Sequence, residues 1–328
     1  MSCDLKVAVV VIFVLVALFY FLYETGHSAV FWATREEVWA PGVSYKEVDL
    51  PVSSGYSRSN HETGDIQDSR DRLDTLRLWD FRNYPGRNIV IFCHGTDHNI
   101  THRSYVVNAC EFYHMNLILF DYRGYGKSTG KASQDHILED ALTVYDYTLE
   151  SYPPNKIVLM GESLGGAPAT YVATKRNCGK LVIFSSFTTL GDIIRRSPSI
   201  NPKFRGILSG MRAFYDDLPN VEWIKKVKCP VCVVHSVEDQ FIPYSCGEEL
   251  FENAHSEKKI IKIKGDHSSP RLTTEQLDEL FGFIDTNVVD MSAEDKAAII
   301  EEMMEAGKRC DAFDKQAGDG TTVLLKLV

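Results

Sequence analysis

Three residue types that can together activate a hydroxyl stand in the order Ser163, Asp239, His267. A serine hydroxyl is a poor nucleophile at neutral pH. It needs a histidine within hydrogen-bond reach to take its proton and a carboxylate to orient that histidine. Such a set attacks acyl carbonyls, provided two N–H groups face the developing oxyanion. Ser163 lies in Gly161-Glu162-Ser163-Leu164-Gly165, which fits G-x-S-x-G. The pentapeptide is weak by itself, because small residues meet by chance. Its flanks carry more. Ile157-Val158-Leu159-Met160 leads in and Gly166-Ala167-Pro168-Ala169-Thr170 leads out. That reads as strand, sharp turn, helix, with the hydroxyl at the apex beside the positive end of the helix.

The elements that must position these residues alternate along the chain. Strands are expected at 46–50, 75–81, 88–93, 116–120, 156–160, 181–185, 231–235 and 260–264, and helices at 102–113, 134–151, 164–175, 244–253 and 274–286. The central strands are apolar throughout, as strands covered on both faces should be. Strand-helix alternation predicts an open, mostly parallel sheet of eight strands with helices on both faces; the first pair reads as an antiparallel edge.

The base is expected after the last strand, where Gly265-Asp266-His267 stands, and the acid after the preceding strand, in Ser236-Val237-Glu238-Asp239-Gln240-Phe241-Ile242-Pro243. Asp239 is the expected acid and Glu238 competes with it; Asp266 adjoins His267 and is badly placed to reach its Nδ1. The oxyanion hole is expected from the N–H groups of Leu164 and of Thr96, the latter beyond Cys93-His94-Gly95. His94 reads as a buried residue that orients its loop. Asp121 and Arg123, in Asp121-Tyr122-Arg123-Gly124-Tyr125-Gly126-Lys127-Ser128, read as residues that hold loops together.

Together these motifs resemble α/β-hydrolases, and most closely membrane-anchored serine hydrolases with a single amino-terminal anchor. The resemblance covers residues 45–286 and implies hydrolysis of acyl esters or thioesters through a Ser-Asp-His triad and an acyl-enzyme, on lipid-like or acylated substrates. It implies no metal or organic cofactor. Two departures stand out: Ser236 occupies a position where many members have Gly, and Gly95-Thr96-Asp97-His98-Asn99 is unlike the common loop. Two other readings stay open, a serine aminopeptidase-like amide hydrolase and a non-catalytic interaction protein of the same fold. The aminopeptidase would want an acidic pocket, for which Asp216 and Asp217 are the acidic pair in the 188–228 excursion.

Residues 7–23 contain no charge and would span about 25 Å as a helix. They read as a retained signal anchor within residues 1–24, with the catalytic domain on the lumenal or extracytoplasmic side. Asn99-Ile100-Thr101 is a glycosylation sequon for that compartment. The net charge of -10, with no basic cluster, argues against a nucleic-acid partner. The eight cysteines show no framework spacing, and Cys229 and Cys232 of the C-x-x-C read as strand residues on opposite faces. Residues 188–228 are dense in apolar side chains and read as a helical cap. Residues 287–328 read as a helical extension opened by the capping box Ser292-Ala293-Glu294-Asp295.

Overall fold

The computed structural model describes residues 31–52, 73–199 and 218–287, with isolated positions between 292 and 301. In chain order its strands are β1 (Trp32–Ala33), β2 (Lys46–Val52), β3 (Asp74–Phe81), β4 (Ile89–Cys93), β5 (Asp97–His98), β6 (Asn116–Phe120), β7 (Ile157–Glu162), β8 (Lys180–Phe184), β9 (Val231–Ser236), β10 (Lys258–Asp266) and β11 (Ser269–Arg271). The α-helices are α1 (Ser104–Phe112), α2 (Gln134–Leu149), α3 (Gly166–Lys175), α4 (Leu190–Arg196), α5 (Asn220–Ile224), α6 (Tyr244–Asn253) and α7 (Thr274–Ile284).

Nine strands form the main sheet, in the order β11-β10-β9-β8-β7-β4-β6-β3-β2. The eight expected strands are all present. The ninth, β11, is a three-residue segment that folds back antiparallel on the end of β10. From β6 to β10 neighbouring strands are parallel. Besides β11, β3 runs against them, antiparallel to both β2 and β6. Every residue of β4 and β6 is buried, and their apolar runs have no polar face because both faces are covered.

Strand alternation divides the core in two. Ile89, Ile91 and Cys93 of β4 point into one layer with α2, α3 and α6, whereas Val90 and Phe92 point into the other with α1 and α7. The ends of α7 are fixed separately. Thr273 and Gln276 form a reciprocal capping box at its start. At its end Asn88 Nδ2 donates to Ile284 O at 2.7 Å, and Asp285 Oδ2 accepts from Asn88 N at 3.1 Å. β4 lies between β6 and β7, so the chain turns opposite ways from it, and the loops at the carboxyl ends of β4 and β7 border a crevice.

Of the 188–228 excursion, α4 and α5 are described, and Ile224 and Trp223 of α5 pack on the α2–α3 layer. The stretch 200–217, which holds Asp216 and Asp217, lies outside the described residues. So do residues 7–23 and nearly all of 287–328. Among the described residues no helix is long and apolar enough to cross a membrane. Cys229 and Cys232 do pack on opposite layers. The fold also brings Cys229 Sγ to 3.1 Å from Cys178 Sγ, a pairing that spacing gave no sign of.

Asn99 of the sequon is fully buried. Its Nδ2 donates to Thr34 O (3.1 Å) and Glu36 O (2.7 Å), while its Oδ1 accepts from Thr101 N at 2.9 Å. The nitrogen a glycan would occupy is therefore committed to tying residues 34–36 to the loop after β5. Asn99→Ala is expected to lower unfolding free energy by about 1–3 kcal/mol, read by denaturant titration, because it removes a buried side chain and the partner of these three groups. Protein passed through a secretory pathway is expected to keep its mass on glycosidase treatment; a deglycosylation shift at Asn99 would contradict its burial.

Candidate active site

The turn after β7 is built by close approach. A Cβ on Gly161 would overlap the Gly165 carbonyl, and one on Gly165 would overlap the carbonyl of Cys93 at the end of β4. Both glycines are required for space, and Gly165 has an ordinary helical φ of -62°. The strained residue is Ser163 itself, at φ +52°. A non-glycine residue there costs on the order of 1–3 kcal/mol and persists only where surrounding bonds fix it. Ser186 Oγ supplies one such bond, donating to Ser163 O at 2.7 Å. The 3₁₀ turn Ser163–Gly165 runs straight into α3, so Leu164 N–H is among the leading amides, which have no acceptor within the helix.

Ser163 Oγ lies 3.0 Å from His267 Nε2, and His267 Nδ1 lies 2.7 Å from Asp239 Oδ2. The carboxylate selects the tautomer. Nδ1–H donates to Asp239, which leaves Nε2 with a lone pair for the serine hydroxyl. Asp239 is held in turn, since its Oδ1 accepts from Phe241 N (2.9 Å) and Ile242 N (2.8 Å). Burial by itself would lower the His267 pKa. The charge and hydrogen bond of Asp239 outweigh burial, with Glu162 and Asp97 adding to them, and the imidazole pKa rises above its ordinary value.

The competing carboxylates have other partners. Glu238 Oε2 accepts from Gly265 N at 2.8 Å and from Arg271 Nη2 at 3.0 Å. Asp266 Oδ1 accepts from Gln240 N at 3.2 Å and from its neighbour His267 N at 2.8 Å. Both tie the loop of the acid to the loop of the base. Ser236 does the same, since its hydroxyl donates to Gly265 O and accepts from Glu238 N. His235, read from the sequence only as a strand residue, supports the acid from below. It is fully buried, its Nε2–H donates to Ile242 O at 2.9 Å, and burial lowers its pKa.

Thr96 lies on the loop after β4, and its carbonyl accepts from Trp32 N (3.1 Å) and Tyr125 OH (2.8 Å). His94 is fully buried, and its Nδ1–H donates to Gly95 O at 2.7 Å; burial, with Arg103 adding to it, pushes its pKa down to about 3. Asp121 Oδ1 accepts from Ile100 N at 2.9 Å, and burial pushes that carboxyl up to about 7. Arg123 is tied away from the nucleophile, to Asp140 of α2 through Nε (2.7 Å) and its backbone N–H (2.8 Å). Trp32 and Ala33 pair with Asp97 and His98, so an amino-terminal strap braces this loop.

A second set of residues beside the serine was not anticipated. Arg103 Nη2 donates to Asp97 Oδ1 at 3.0 Å, and Arg103 Nε lies 3.7 Å from Glu162 Oε2. Tyr105 OH lies 2.7 Å from both oxygens of Glu162. The Arg103 charge holds the Asp97 pKa down at about 2, against the effect of burial. These partners come from three separate segments, so no local pattern announces them. Among the described residues no group of three or more His, Cys, Asp or Glu is arranged to hold a metal ion.

A family model described as serine aminopeptidase, S33, matches residues 85–212. An uncharacterized protein of Mycobacterium tuberculosis is 30% identical over 206 residues, which cover 61% of this chain and 71% of that relative. The alpha/beta hydrolase domain-containing protein aho-3 of Caenorhabditis elegans is 26% identical over 209 residues, 60% of this chain and 57% of the relative. The chain thus spans little more than half of that nematode protein. Among solved structures, an esterase of Pyrococcus furiosus matches with a TM-score of 0.55 at 18% identity, covering 77% of this chain and 96% of the esterase. Sheet order, the strand-turn-helix around Ser163 and these relatives agree: the chain belongs to the α/β-hydrolase superfamily.

Proposed function

We propose that this hydrolase is a serine esterase or thioesterase that works through an acyl-enzyme. The observation that carries the reading is the continuous relay from Ser163 Oγ through His267 to Asp239, at 3.0 and 2.7 Å. Ser163 Oγ attacks the acyl carbonyl carbon as its proton passes to His267 Nε2. Asp239 stabilises the resulting imidazolium. The carbonyl electron pair moves to oxygen, which Leu164 N–H and Thr96 N–H receive. The Gly95–Thr96 peptide is trans, and its carbonyl is tied to His94, so its N–H points away from that histidine. As the tetrahedral centre collapses, Nε2–H protonates the leaving oxygen or sulfur, and the acyl group stays on Ser163. Water, deprotonated by His267, then releases the acid and regenerates the serine.

A second reading, an amide hydrolase acting on amino-terminal residues, draws on the family model and on two carboxylates near the imidazole, Asp97 and Glu162. Arg103 donates to Asp97 and Tyr105 OH lies 2.7 Å from both oxygens of Glu162, so each carboxylate is already engaged by a donor of this chain. We therefore favour the ester or thioester. Rates on a series of acyl esters set against aminoacyl amides separate the two. Residues 7–23 would place the enzyme at a membrane, with acyl-bearing lipids or acylated proteins as substrates.

Ser163→Ala is expected to abolish ester hydrolysis, a loss on the order of 10⁶-fold, together with fluorophosphonate labelling. Retention of either, in a variant of unchanged Tm, would remove Ser163 from the mechanism. Asp239→Asn is expected to cost on the order of 10⁴-fold in kcat by presenting the wrong tautomer. Hydrolysis needs neutral His267, so kcat/KM should fall as pH drops through a pKa above the ordinary histidine value. Glu162→Gln removes a nearby negative charge and disfavours the imidazolium. The acid limb should then move to lower pH by less than about one unit; a move to higher pH would contradict the electrostatics described.

A further inference from the structure

We propose that Cys178 and Cys229 form a disulfide that closes the base of the 188–228 excursion. Their Sγ atoms lie 3.1 Å apart although 51 positions separate them in sequence. An S–S bond of about 2.05 Å needs the two sulfurs to close by only about 1 Å, within reach of side-chain rotation. The bond is independent of the chemistry proposed at Ser163.

The fold brings the two thiols together and holds the backbone on either side of them. Cys178 stands in the turn from α3 to β8, and Cys229 stands two residues before β9. β8 and β9 are parallel neighbours with Leu181 opposite Val231, so both cysteines enter the sheet at the same end. Gly179 N donates to Ile157 O at 2.8 Å, Leu181 N to Pro230 O at 2.9 Å and Val231 N to Glu257 O at 2.9 Å. Tyr145 OH donates to Asn177 O. Bond formation therefore asks for no backbone rearrangement, whose strain is what weakens many introduced cross-links.

Among the described residues Cys93, Cys110, Cys232 and Cys246 are buried, whereas Cys178 and Cys229 are both partly exposed. A dissolved disulfide such as oxidised glutathione can reach the pair. One thiolate attacks a sulfur of that disulfide and displaces the first glutathione. The second thiolate attacks the mixed disulfide, forms the Cys178–Cys229 bond and displaces the other glutathione. Two electrons pass to the oxidant, and the two protons end on the released thiols. The contact with Cys229, with burial adding to it, raises the Cys178 thiol pKa. Cys178 is thus a thiol at neutral pH, as in a structural pair and unlike a catalytic dithiol.

The effect of the bond follows from its position. In the unfolded chain it ties off a loop that contains β8 and the whole excursion, and a longer loop loses more conformational freedom. In the folded chain α3, at about 1.5 Å per residue, separates Cys178 from the turn of Ser163, and β9, at about 3.3 Å per residue, separates Cys229 from the loop of Asp239. The bond fastens the end of the sheet away from the triad. Such a bond persists in an oxidising compartment, the side to which an anchor at residues 7–23 would deliver the domain.

The test is thiol mapping and melting of the full chain in detergent, equilibrated with reduced and oxidised glutathione. After acid quench and alkylation, non-reducing digestion should give the Cys178 peptide joined to the Cys229 peptide. Tm should stand roughly 5–15 °C above that of the same chain held in reductant. Cys178→Ser and Cys229→Ser should each abolish both the joined peptide and the response of Tm to reductant. If either variant fails to fold, the wild-type comparison with and without reductant still decides. Free thiols at both positions in the folded wild-type chain, or a joined chain that melts with the reduced one, would overturn the proposal.

Discussion

The site depends on how closely the turn after β7 approaches the end of β4. Gly165 lies against the Cys93 carbonyl, and no side chain larger than hydrogen fits between them. This contact places the start of α3 beside the loop that carries His94, Gly95 and Thr96. Two loops far apart in sequence thereby share one crevice. It also explains why the backbone strain falls on Ser163 and not on its glycine neighbours: the glycines supply clearance, and the serine takes the left-handed turn.

Three networks preserve what that contact sets up. Ser236, Glu238 and Asp266 bond the loop of Asp239 to the loop of His267. The buried histidines His94 and His235 bind loop carbonyls in neutral form and add no competing charge beneath the His267 imidazole. On the open side, Arg103 is shared between Asp97 and Glu162, and the surplus negative charge there favours a protonated His267.

Much of this was readable in the sequence, for identifiable reasons. Strands buried on both faces leave unbroken apolar runs, so all eight principal strands fell near their expected bounds. The order Ser163, Asp239, His267 follows from sheet topology, and the structure brings these three within hydrogen-bond distance. Other features had no local signature. β11 is only three residues long, and its pairing follows from the turn at His267. The strap at Trp32 and Ala33 pairs with β5 across more than sixty residues. Asn99 satisfies a glycosylation motif but is itself buried and bonded to the Thr34 and Glu36 carbonyls, and a motif cannot report burial.

The most direct measurement is mass spectrometry of the enzyme quenched in acid during turnover of a slowly hydrolysed ester. An acyl-enzyme mechanism requires the chain's mass to rise by the acyl group, with the adduct on the peptide containing Ser163 and gone after turnover completes. An unmodified chain at a time when the alcohol has been released in a burst, or an adduct on any other residue, would contradict it.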